Sequence, residues 1–249
     1  MTPIGASPCH FNARGIRRRT LAPSLALLIC SALLLGASPG RSRKNHAEGK
    51  QEISYETFGA STGVPLMILL HGASGSSDFY REQARFFAQH GYQVVIPHYL
   101  EATRNSAGTD ENYAVWVAVV RNLMDKLKAG RSEGTVLVGF SLGASIALAL
   151  GSQGRGLDAI AEWYGSLPDK FFREMRGMPP LLILHGGRDT NIPVINATQL
   201  SKLCLLVKLI CETHIYPDQE HGFDSQSLRD ADRRTLQFLS RYSNHRSNS

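Results

Sequence analysis

Acidic residues are missing from the first 40 positions of this chain, which hold four arginines, Arg14, Arg17, Arg18 and Arg19. The whole sequence has 27 basic and 21 acidic residues, so setting those arginines aside leaves the rest close to neutral. A basic surface for a polyanion is therefore not expected, and no nucleic-acid partner is implied. Long hydrophobic runs are also lacking. The apolar part of the leader, Leu25 to Ala37, is short for a bilayer that takes about 20 apolar residues, and Pro23 and Ser24 weaken it further. No cluster of histidine, cysteine or carboxylate has metal-ligand spacing, so no metal or organic cofactor is expected. Internal repeats are absent as well.

Cysteine is scarce, at four residues in 249. Cys9 and Cys30 fall in the leader, which leaves Cys204 and Cys211 as an even pair. A disulfide fits that spacing if the Cβ atoms face each other; two thiols buried in the apolar run Leu203 to Val207 fit it equally. Neither cysteine has an adjacent cation or histidine to activate it.

The leader itself has a basic start at Arg17-Arg18-Arg19, an apolar middle from Leu21 to Ala37 and a small-residue end at Ser38-Pro39-Gly40. That order describes an export signal over residues 1–40, with periplasmic or secreted destination and no stable membrane span once it is removed. Arg18-Arg19-Thr20-Leu21 leaves the general and twin-arginine routes both open. Residues 41–50 read as a flexible polar segment, 51–243 as one domain and 244–249 as a disordered tail. With 43% hydrophobic residues, one sizeable core is expected.

Strand and helix patterns alternate through that domain. Ile53 to Phe58 alternates like a half-exposed edge strand, whereas Leu66 to Leu70 is continuously apolar, as in a strand covered on both faces. Asp78 to Gln89 reads as a helix closed at Gly91, Val94 to Ile96 as a buried strand, and Asn112 to Lys128 as a long amphipathic helix. Ala159 to Tyr164, Leu181 to Leu184 and Glu212 to Tyr216 read as further strands; Val194 to Val207 and Ser227 to Tyr242 read as helices. The alternation predicts an α/β fold with a doubly wound, mostly parallel sheet, helices on both faces and no large cap domain.

Thr135 to Val138 runs as a strand into Gly139-Phe140-Ser141-Leu142-Gly143, and the small, apolar Ala144 to Leu150 follows as a helix. Strand, tight turn and helix with serine at the apex is the nucleophile-elbow pattern. A serine hydroxyl needs a base within hydrogen-bond reach and an acid to orient that base. Beyond later strand ends stand Asp189, in His185-Gly186-Gly187-Arg188-Asp189, and His221, in Asp218-Gln219-Glu220-His221-Gly222-Phe223. Asp158, Asp218 and Asp224 compete for the acid's role and read as surface charges. His71 and His185 read as structural, His90 as a helix end, and His98 and His214 as packing or solvated residues. The N–H groups of Leu142 and of Ala73, in the loop His71-Gly72-Ala73-Ser74-Gly75, are placed to hold an oxyanion. Phe79, Tyr80, Phe140, Trp163 and Phe223 are expected around the cleft.

These motifs, with Trp163-Tyr164-Gly165, Pro193 and the Tyr216 to Phe223 segment, resemble the dienelactone hydrolase family of α/β-hydrolases over about residues 50–243. The family's namesake enzymes place cysteine at the elbow and a glutamate in the oxyanion loop, where this chain has Ser141 and Gly72. The resemblance implies an ester hydrolase with Ser141, His221 and Asp189 as the working set and a small-molecule ester as partner. The two departures point away from dienelactone itself as the expected substrate. A peptidase or amidase of the same fold is the alternative, and a non-catalytic binding protein is a more remote one. Only the stretch from Ser166 to Pro179 lies where a cap would be inserted, so an open cleft is expected.

Overall fold

The computed structural model describes residues 52–154 and 156–243. The expected leader, the 41–50 segment and the 244–249 tail lie outside those residues. Seven strands form one sheet: β1 (Tyr55–Phe58), β2 (Leu66–Leu70), β3 (Gln93–Pro97), β4 (Thr135–Phe140), β5 (Ala159–Trp163), β6 (Leu181–Gly186) and β7 (Cys211–Tyr216). Their spatial order is β1-β3-β2-β4-β5-β6-β7. β1 runs antiparallel to β3, and every other pairing is parallel. The expected half-exposed edge is β1, whereas β2 to β6 are buried along their whole length.

Five α-helices cover the faces. They are α1 (Asp78–Gln89), α2 (Asp110–Lys128), α3 (Leu142–Ser152), α4 (Ile195–Val207) and α5 (Ser225–Tyr242). One apolar layer joins α1 and α5 to Met67, Leu69, Val136 and Val138; the other joins α2, α3 and α4 to Leu66, Ile68, Leu70 and Leu137. Alternate residues of β2 and β4 thus feed opposite layers, as the two-residue period of a strand requires. Each fully buried aliphatic side chain contributes about 1.5–3 kcal/mol, so this double-sided burial dominates stability.

Two helices begin earlier than their apolar periodicity indicates, because polar caps extend them. The Thr109 side chain accepts from Asn112 N–H to start α2, and Asp224 accepts from Gln226 and Ser227 N–H to start α5. The stretch expected to stand in for a cap contains a 3₁₀ segment, Asp169–Gly177. Its Phe171 and Met175 pack into the layer of α3 and α4. Cys204 and Cys211 are bridged, tying the end of α4 to the start of β7 with Cα atoms 6.1 Å apart. The flanking Leu205 and Leu206 are exposed, so the run around Cys204 is not the buried strip considered above. Among the described residues, no helix is long and apolar enough to cross a membrane.

Strand order and register together locate the site. After β2 the chain turns to α1 on one face; after the neighbouring β4 it turns to α3 on the other. Loops leaving in opposite directions open a crevice at the carboxyl ends of these strands. The register pairs Leu70 with Gly139, Phe140 with Trp163, Trp163 with Leu184 and Gly186 with Tyr216, so five strands deliver their following loops to one edge.

Candidate active site

Ser141 is the single residue between β4 and α3, with φ 55° and ψ −120°. That conformation costs a non-glycine residue on the order of 1–3 kcal/mol and persists only where the surroundings enforce it. Backbone packing supplies the enforcement. A Cβ on Gly143 would lie 2.2 Å from the Leu70 carbonyl oxygen, and one on Gly139 would lie 2.5 Å from that of Gly143. The Ser141 N–H donates to the Trp163 carbonyl at 2.9 Å, and its own carbonyl accepts from Ser145 N–H at 3.1 Å. The hydroxyl therefore stands at the N-terminus of α3, beside peptide dipoles that favour negative charge.

Three side chains distant in sequence meet here. The Ser141 hydroxyl and His221 Nε2 are 2.8 Å apart, and His221 Nδ1 is 2.8 Å from Asp189 Oδ2. The carboxylate can only accept, so Nδ1–H donates to it and Nε2 accepts from the serine. Asp189 has no exposed side-chain surface, and its Oδ1 accepts from the N–H groups of Asn191 and Ile192, each at 2.9 Å. The competing acids are employed elsewhere. Asp218 pairs with Arg188, Asp224 caps α5, and Asp158 accepts from Thr135 N–H.

The loop bearing His221 is docked on the turn bearing Asp189. Gly187 N–H donates to the Tyr216 carbonyl and Arg188 N–H to that of Gln219, at 2.7 and 2.9 Å. A Cβ on Gly186 would lie 2.3 Å from the Glu220 carbonyl oxygen, so the two backbones are in direct contact. Gln219 closes the loop with two hydrogen bonds to Asp224: its amide donates to Oδ2 at 2.9 Å and its oxygen accepts the Asp224 N–H at 2.7 Å. His185 donates to the Ile192 carbonyl at 2.8 Å, as a structural residue would. Burial lowers its pKa and keeps its ring neutral.

The loop after β2 is braced on three sides. The Gly72 carbonyl accepts from His71 Nδ1 at 2.8 Å and from Gly75 N–H at 3.1 Å, while Gly72 N–H donates to the Tyr80 hydroxyl at 2.8 Å. Burial depresses the His71 pKa to about 4, so the ring is a neutral donor at neutral pH. Pinning the Gly72 carbonyl also orients the Ala73 N–H, because the two point in opposite directions across a planar trans peptide. That N–H has no acceptor among the described hydrogen bonds. Leu142 N–H, at the first position of α3, has no carbonyl of its own helix to bind.

Between these elements lies a cleft of about 840 Å³. Phe79, Tyr80, Trp163 and Phe223 line it as expected. Phe140 does not. It follows Val136 and Val138 at two-residue intervals, so strand alternation turns it into the layer of α1 and α5, fully buried against Phe79, Tyr80 and Trp163. One wall that periodicity did not reveal comes from the loop before α2, through Ser106 and Gly108. No lysine or arginine lines the cleft among the described residues. The described residues also contain no group of three or more histidine, cysteine or carboxylate side chains placed to hold a metal ion.

Two further residues escaped the sequence reading. Tyr164 lies just past β5 at φ 44°, and its ring meets the His221 ring edge-on at 4.9 Å. Beneath it the wholly buried Glu162 accepts from Gly165 N–H at 2.8 Å, closing the turn that carries Tyr164. Burial pushes the Glu162 carboxyl up to about 8, so it is protonated near neutrality. An acidic residue in the middle of a strand was the available signal.

Sequence and structure comparisons agree with this architecture. Residues 57–243 match the sequence model of the Dienelactone hydrolase family. A carboxymethylenebutenolidase of Rhodococcus opacus is 26% identical over 231 residues, covering 80% of this chain and 90% of that protein. Among solved structures, esterase PE8 superposes with a TM-score of 0.61 at 21% identity, over 76% of this chain and 100% of the other. A dienelactone hydrolase-like promiscuous phosphotriesterase from metagenomic libraries gives a TM-score of 0.64 at 15% identity, over 77% of this chain and 99% of the other.

Proposed function

Given that the chain belongs to the dienelactone hydrolase family, a family of α/β-hydrolases, we propose that it cleaves carboxylic esters through an acyl-enzyme on Ser141. The observation that carries this reading is the unbroken line of hydrogen bonds from the Ser141 hydroxyl through His221 to Asp189. His221 Nε2 takes the serine proton as Oγ bonds to the ester carbonyl carbon, and the carbonyl π pair moves onto oxygen. The N–H groups of Leu142 and Ala73 stabilise that oxyanion. Its collapse restores the carbonyl and breaks the bond to the alkoxide, which leaves with the proton held by His221. Water then repeats the sequence on the acyl-serine: His221 takes its proton, hydroxide adds to the carbonyl, and the carboxylic acid departs as Ser141 regains its hydrogen.

Cleft composition supports uncharged esters as substrates. A carboxylate entering beside Phe79, Trp163 and Phe223 would lose water, with no lysine or arginine among the described lining residues to offset the loss. The same proposal places the protein outside the cytoplasm. The basic and apolar leader supports export, and a Cys204–Cys211 bridge fits an oxidising compartment.

A fluorophosphonate probe tests the assignment directly. Wild type is expected to be labelled and to hydrolyse p-nitrophenyl esters, while Ser141→Ala takes no label and loses about 10⁴-fold or more in kcat. Labelling of Ser141→Ala at the wild-type rate would sink the proposal.

A further inference from the structure

Tyr80 lines the cleft but has no part in the chemistry above. It is 8% exposed and lies in α1, with its ring edge-on to Phe79 and Phe140. Its oxygen accepts the Gly72 N–H at 2.8 Å, and no carbonyl or carboxylate among the described residues takes its proton. A phenol buried with an idle donor forfeits a hydrogen bond unless a ligand supplies the acceptor. The position of that donor is informative. A Cβ on Gly72 would lie 2.8 Å from the Tyr80 hydroxyl and 3.5 Å from Ser141 Cβ. The missing side chain at residue 72 therefore leaves open the space between the phenol and the nucleophile, next to the loop that holds Ala73.

We propose that Tyr80 is a third donor of the oxyanion hole, its O–H bonding to the ester carbonyl oxygen as that oxygen becomes negative beside the N–H groups of Leu142 and Ala73. The inference rests on the reading of Ser141 as nucleophile. The proton stays on the phenol throughout, so no covalent step is added. The Gly72 N–H, spent on the phenolic oxygen, strengthens the phenol as a donor, because hydrogen bonds in a chain polarise one another. Burial raises the phenol pKa above its ordinary value and keeps the hydrogen in place.

Tyr80→Phe removes a single oxygen from a ring that keeps its packing. Its kcat on a neutral p-nitrophenyl ester is expected to fall about 10- to 100-fold with KM nearly constant, toward the lower end of the losses found for oxyanion donors. A raised KM at unchanged kcat, or no change in either, overturns the proposal. Because this variant also leaves Gly72 N–H without its acceptor, a second series places fluorinated tyrosines of graded acidity at position 80. These keep the oxygen and its bond to Gly72, so kcat should climb with phenol acidity while the hydroxyl stays protonated. A flat series assigns Tyr80 to bracing the loop alone and overturns the role in catalysis. Ser141→Ala separates the two readings. If it is inactive while Tyr80→Phe is fully active, only the role of Tyr80 fails; if it retains wild-type activity, the nucleophile assignment fails first.

Discussion

Ser141 and His221 are held in place by different means, although they share a hydrogen bond. The serine is set by main chain alone: a strand and a helix meet with one residue between them, and glycine hydrogens are all the space between them admits. The histidine rides on a partly exposed loop whose shape depends on side chains, chiefly Gln219 and Asp224. Asp189 resembles the serine, since its side chain is wholly buried and both oxygens are engaged. Two members are thus fixed by buried surroundings, while the third sits on a loop that is seated by main chain on the acid's turn but closed by side chains at the surface. The third is also the member that must change charge and partner during a turnover of the proposed kind.

Three substitutions would break or sharpen this contrast. Asp189→Asn keeps the buried shape, yet its amide can present NH₂ to His221 Nδ1 and favour the wrong tautomer. A loss of about 10⁴-fold in kcat with nearly unchanged folding is expected by steady-state kinetics and circular dichroism. A loss below about tenfold would show that orientation comes from the loop and not from the acid.

Glu162→Gln probes the rigid side through stability. Between its ordinary 4.5 and the folded value of about 8, the unfolded chain has released this proton and the folded chain retains it. Wild-type stability therefore declines as pH rises through that window, and the penalty is complete above it. The glutamine variant lacks this slope. Its advantage over wild type should grow from about pH 4.5 to about pH 8 and reach on the order of 3 kcal/mol at neutrality, read by denaturant unfolding. Parallel stability curves for the two proteins would refute the idea.

Gln219→Ala has the smallest expected effect. Removing the bracket costs two hydrogen bonds at the surface, about 1 kcal/mol of folding stability or less. It is expected to lower kcat by less than about tenfold by loosening His221, with KM hardly moved. Hydrogen exchange should quicken in residues 217–224 and stay unchanged in β4 and α3. Equal quickening in both places would erase the distinction between the two anchorages.

How much could be read in advance follows the same division. Continuous apolar runs at β2 and β6, the glycine-flanked serine and the order of serine, aspartate and histidine are local patterns, and each led to the element or position found. Aromatic character alone puts Phe140 at the cleft, but strand parity assigns it to the layer of Val136 and Val138. Tyr164 reads as strand from its sequence, whereas it lies at positive φ in a turn closed by Glu162, with Gly165 packed on Ala144 across space. The idle donor on Tyr80 and the buried proton on Glu162 depend on what lies across space from them. No periodicity encodes such relations.

The contact between Gly186 and the Glu220 carbonyl has a practical corollary for anyone moving this site into another scaffold. Grafting the acid's turn or the base's loop by itself would leave a gap or a collision where main chain now touches main chain. The transferable unit is the pair, excised with its shared seam, and sequence diversity for redesign is best sought elsewhere around the rim.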